Sequence, residues 1–131
     1  MTPRAAHRLF DRERARFARL FPQVRAARLV LLDRPCTSPQ HCRWRDLAYA
    51  TFEPPTVHLL RRALDLPVVN VRGLVRHELG HLADEEIDRP GREQRADDLA
   101  EQATGQVIAY DEHDVQTTGR GRYPRPRHLH R

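Results

Sequence analysis

The sequence predicts an α+β fold: an N-terminal helix, a small twisted sheet of about three strands, and two further helices. Three observations carry this expectation. Apolar residues recur at helical spacing over residues 5–20 and again from Asn70 to Glu86. Between those stretches lie short β-prone runs punctuated by proline. The 131 residues, 39% of them apolar, suit one core of moderate size.

Each element has its own signature. Over residues 5–20, Leu9, Phe10, Phe17 and Leu20, continued by Phe21, form an apolar stripe; arginines and acids take the other face, and Pro22 closes the helix. Arg28 to Leu32 is a short apolar run ended by Asp33-Arg34-Pro35, which suits a buried strand. After a loop from Pro35 to Arg45, Leu47 to Phe52 and Thr56 to Leu60 read as a hairpin. The Glu53-Pro54-Pro55 connection argues for a turn and an edge position. Asn70 reads as the cap of the next helix, with Val71, Leu74, Val75, Glu78, Leu79 and Leu82 at three- and four-residue steps. Asp88-Arg89-Pro90-Gly91 is a turn, and Glu93 to Thr104 resumes a helix that ends at Gly105. These elements define one domain over residues 1–114. Residues 115–131 form a basic, arginine- and proline-rich tail, expected to be flexible.

Composition excludes several classes. No apolar run approaches the roughly 18 residues of a membrane span, and the N-terminus carries charges where a signal peptide needs an apolar stretch. The two cysteines, Cys36 and Cys42, are too few for a disulfide scaffold and read as plain loop residues of a cytoplasmic protein. All 23 basic residues are arginine, against 18 acids. That bias fits a GC-rich coding sequence as well as it fits nucleic acid, because arginine codons are GC-rich. The charge is also unevenly spread. Residues 1–76 hold 15 arginines and 6 acids, residues 77–114 hold 3 and 12, and residues 115–131 hold 5 and none. The net +5 therefore hides an acidic block, and nucleic acid is not expected as the main partner.

That block contains His77-Glu78-Leu79-Gly80-His81, an H-E-x-x-H pattern. Histidines four apart project from one helical face, so their ring nitrogens can converge on one zinc ion while the glutamate acts on water beside it. The flanking Leu74, Val75, Leu79, Leu82 and Ala83 suit a buried helix, with Arg76 as a single tolerated charge. Gly80 costs up to roughly 1 kcal/mol against alanine in mid-helix, which suggests a close backbone approach, expected from a strand. A catalytic zinc takes three protein ligands. The metzincin extension fails, since Asp84 and Ile87 stand at its glycine and ligand positions. Glu93 fits instead as third ligand, and Asp97, one turn on, as acceptor of a histidine N–H. His113, Asp84 and Asp88 remain alternative ligands, the last two at i+7 and i+11 from His77, where they also read as surface acids.

His77 to His81 followed by Glu93-x-x-x-Asp97 resembles the gluzincin branch of zincin metallopeptidases. Glu93 to Ala100 is similar to the glutamate helix of small ImmA/IrrE-type and minimal gluzincin peptidases. The resemblance covers residues 70–105 specifically, and more loosely the helix, strand and hairpin upstream. It implies a minimal zincin-like fold, one catalytic Zn2+ on His77, His81 and Glu93, and Glu78 as general base and then acid. It also implies a peptide or protein substrate lying antiparallel to an edge strand at Thr56 to Leu60. The chain departs from the pattern in having only 11 residues between His81 and Glu93, no helix-turn-helix module, and no evident counterpart of the transition-state-stabilising Tyr or His. Tyr110 and His113, then His58, are the candidates for that role. A catalytically silent, zinc-stabilised binding or regulatory module and an arginine-rich nucleic-acid-binding protein are the competing functions.

Overall fold

A computed structural model describes residues 1–33, 47–86 and 88–108. It is an α+β fold: three α-helices and a three-stranded mixed sheet. The expectations for Pro35 to Arg45, with Cys36 and Cys42, and for Tyr110, His113 and the tail lie outside the described residues.

Helix α1 spans Pro3–Ala18. The Thr2 side chain accepts from the Ala5 N–H at 3.1 Å, and Pro3 opens the first turn, where its missing N–H costs nothing. Its buried stripe is Ala6, Leu9, Phe10, Glu13 and Phe17. The helix ends before Leu20, which is exposed rather than part of the stripe. Pro22 opens a 3-10 turn, Pro22–Ala26, that buries Val24.

Strands β1 (Arg28–Leu32), β2 (Ala48–Phe52) and β3 (Pro55–Leu60) lie in the order β1-β3-β2, with β3 parallel to β1 and antiparallel to β2. The hairpin is as expected, but the edge assignment is not: Thr56 to Leu60 is the central strand. Pro55 is its first residue, paired with Phe52 at the end of the ladder, so the missing proline N–H interrupts nothing inside the sheet. Among the described residues β1 and β2 are the outer strands on either side of it. Val57 and Leu59 are fully buried in the core with Val71, Leu74, Val75 and Leu79.

Helix α2 spans Val68–Ala83 and begins after Pro67, not at a cap on Asn70, which is buried in its first turn. It stops three residues before Glu86, because Asp84 leaves helical geometry at ψ 122°. Helix α3, Arg92–Thr104, runs between two left-handed glycines, Gly91 (φ 84°) and Gly105 (φ 74°). Gly80 meets α3 and not a strand. A Cβ there would stand 2.8 Å from the Ala96 carbonyl carbon and overlap its oxygen.

Arg76 is more than a tolerated charge. It is buried, and its guanidinium donates through Nε to Glu13 of α1 at 2.7 Å and through Nη1 to Gln106 at 3.0 Å. A buried ion pair contributes little net stability, yet leaving one partner alone is costly. Arg76→Leu should therefore lower unfolding free energy by roughly 3–5 kcal/mol, and Glu13→Leu with Arg76→Leu together by much less. Equal losses in urea titrations of single and double variants would contradict this. Among the described residues, no helix is long and apolar enough to cross a membrane.

Gly80→Ala separates two effects of opposite sign. Helix propensity alone would stabilise by up to about 1 kcal/mol. Overpacking against a backbone that cannot rotate away costs about 1–3 kcal/mol, and should win. A variant more stable than the parent in denaturant would show that the helices can part without loss.

Candidate metal centre

The crossing of α2 over α3 builds the site. Gly80 and Ala96 are the point of closest approach, and each is flanked by two polar residues at i−3 and i+1: His77 and His81 on α2, Glu93 and Asp97 on α3. Positions one turn apart share a helical face, so all four side chains gather around one crossing.

The histidine Nε2 atoms lie 3.1 Å apart, with the rings nearly perpendicular. Glu93 completes the group, Oε2 at 2.6 Å from His81 Nε2 and Oε1 at 3.6 Å from His77 Nε2. His77, His81 and Glu93 can each offer one ligand atom, all within 4.8 Å of one another. Two nitrogens on a tetrahedral zinc at 2.0–2.1 Å stand about 3.4 Å apart, so the spacing fits. His77 is fully buried and its Nδ1 donates to Asp97 Oδ1 at 2.7 Å. With Nδ1 donating to Asp97, the neutral ring carries its lone pair on Nε2, the atom that faces His81 Nε2. Asp97 is itself fully buried, and its Oδ2 has no hydrogen-bond partner among the described residues. A buried carboxylate so placed favours positive charge on His77 or beyond it.

Proton affinities report the same field. Burial by itself would lower the His77 pKa. The hydrogen bond to Asp97 and the close contact with Glu93, with the charges of Glu78 and Asp97, outweigh it and raise the value to about 9. Burial would raise Glu93, but its contacts with His77 and His81 hold it well below the usual carboxylate range. At neutral pH the raised value favours the protonated, positively charged His77 ring among these carboxylates.

The other expected residues are placed differently. Glu78 is buried on α2, close enough to influence His77 and His58 electrostatically. His58 is outside the cluster: it stacks on Tyr49 at 4.3 Å, its Nε2 lies 3.0 Å from Thr51 Oγ1, and burial, partly opposed by Glu78, lowers its pKa. Asp84 is neither ligand nor surface acid. It is buried past the end of α2, Oδ1 accepting from the Glu86 N–H at 2.9 Å and Oδ2 from Arg95 Nε at 3.1 Å. Asp88 is exposed, off the helix, and borders an open depression of about 370 Å³ that meets the cluster only through Glu93. Sequence spacing missed Arg95, because nothing marks an arginine two residues after a ligand as different from its solvated neighbours.

Against known proteins the chain matches no family model, no curated protein and no solved structure.

The direction of the His77 shift fixes a pH dependence. A folded value of about 9, above the ordinary 6.5, gives stability that is complete below 6.5 and lost as pH rises through 9. The Glu93 contribution has the opposite sense, present above the ordinary carboxylate range and lost only in strong acid. The chelated protein should become less stable between pH 6.5 and 9. Stabilisation by added zinc should grow over that interval, since the ligand must lose its proton. Urea midpoints with chelator and with zinc test this; a chelated midpoint that rises with pH contradicts it.

Proposed function

We propose that the chain is a zinc-dependent peptidase of gluzincin type, similar to minimal zincin metallopeptidases. The observation that carries the reading is the convergence of His77 Nε2, His81 Nε2 and the Glu93 carboxylate, with Asp97 holding His77 Nδ1. A two-histidine, one-glutamate set leaves a tetrahedral position open, the arrangement of catalytic rather than structural zinc.

His77, His81 and Glu93 would hold the ion. When bound, zinc supplies a Lewis acid that lowers the pKa of water towards about 7 and polarises a carbonyl. Asp97 keeps the His77 ring in one tautomer and orientation. Glu78, between the two ligands in sequence, takes a proton from the attacking water on its carboxylate and passes it to the leaving amine nitrogen. An extended peptide would add to the sheet at an outer strand, β1 or β2, rather than at the central Thr56 to Leu60 segment. The low cysteine content is in keeping with a cytoplasmic protein in this reading.

Purified protein should carry one zinc per chain. Glu78→Gln should keep the metal and lower peptide hydrolysis by about 10²–10⁴-fold. Zinc content well under one per chain after gentle purification would sink the reading. Full zinc with no hydrolysis by the parent, and unfolding by chelator, would instead favour the zinc-stabilised binding module.

A further inference from the structure

Only 11 residues separate His81 from Glu93, and they must reverse the chain between two packed helices. The guanidinium of Arg95, on α3, spans this connection. Its Nε donates to buried Asp84 just past α2, its Nη1 to the Pro90 carbonyl at 2.7 Å, and its Nη2 to the carbonyls of Glu86 and Arg89, the latter at 3.2 Å. Asp84 also accepts from the Glu86 N–H, so one carboxylate and one guanidinium tie four points of the connection to the first turns of α3. Glu93 lies two residues before Arg95 and is the one member of the cluster at a helix start, where backbone frays most readily. Its side chain is 41% exposed, against 12% for His81 and none for His77.

We propose that Arg95 is a positioning residue for the third metal ligand: its fork fixes the connection and thereby sets where the Glu93 carboxylate meets His77 and His81. This rests on the zinc-site reading above. The function requires an arginine. Several donors in a rigid plane serve a carboxylate and three carbonyls at once, whereas a lysine ammonium is a single point charge that can satisfy Asp84 or the carbonyls but not the whole set.

Arg95→Lys is the principal variant, because it leaves a cation beside buried Asp84 and so protects the fold; Arg95→Ala is the second. Zinc affinity is measured by chelator competition in the otherwise native chain and in a Glu93→Ala background. The visible spectrum of the Co2+-loaded protein reports coordination. In the native background both variants should bind zinc roughly 10–100-fold more weakly, the range found when groups supporting metal ligands are removed, with an altered Co2+ spectrum. In the Glu93→Ala background neither should weaken binding further, since the ligand through which Arg95 acts is gone. An equal loss in both backgrounds, or an unchanged affinity in the native one, overturns the proposal while leaving the zinc site standing. Absence of zinc binding by the parent overturns both.

Discussion

The close approach of α2 and α3 at Gly80 and Ala96 governs the rest of the molecule. A helix pair separated by ordinary side chains keeps its axes 8–10 Å apart, and shared ligation then depends on long side chains reaching inward. Here a glycine faces a backbone carbonyl, with no room for a Cβ between them. The short imidazole and carboxylate arms at i−3 and i+1 on each helix then suffice to meet. Without that glycine, His77 and Asp97 would not lie within 2.7 Å, nor His81 and Glu93 within 2.6 Å. Packing and site are therefore set by one contact.

The same approach concentrates charge. Glu78 and Asp97 are buried beside His77, and Glu93 closes the group from its more exposed side. Coulomb repulsion among carboxylates in a poorly solvated space disfavours the fold unless something positive stands among them. The fold keeps its arginines for other tasks: Arg76 faces Glu13 of α1, and Arg95 faces Asp84 and the connection. Among the described residues, no arginine is paired with Asp97 or Glu93. The positive charge among these carboxylates is then left to the histidines, which raises the His77 pKa.

Much of this was legible in the sequence because it follows from periodicity. The helices, three strands, hairpin and α3 glycine stop came from apolar spacing and punctuation, and the four-residue steps His77/His81 and Glu93/Asp97 specified two faces that could meet. What failed has tertiary causes. Two prolines beside β3 suggested an edge, but register puts Pro55 at the end of the ladder, and one-dimensional patterning does not contain register. Arg76 looked like a merely tolerated charge because its partner, Glu13, lies 63 residues away on another helix. Asp84 fell at a helical multiple of His77, but α2 had ended by then. Gly80 announced a close neighbour without saying which element it was.

The short connection explains why Glu93 meets the histidines from a helix directly after the one that carries His81. A long loop between His81 and Glu93 would let α3 dock in many registers, each offering a different acidic residue to the histidines, and α3 carries several: Glu93, Asp97, Asp98 and Glu101. Loop-closure entropy grows only slowly with length, so shortness by itself adds little stability; its effect is on choice. With Gly91 in a left-handed conformation starting the helix and the connection tied down from within, α3 has one way to lie against α2. In that register Glu93 and Asp97, not their neighbours, face the histidines. Which carboxylates meet the histidines is thus a consequence of chain reversal geometry, and the acidic block supplies more carboxylates than that geometry admits.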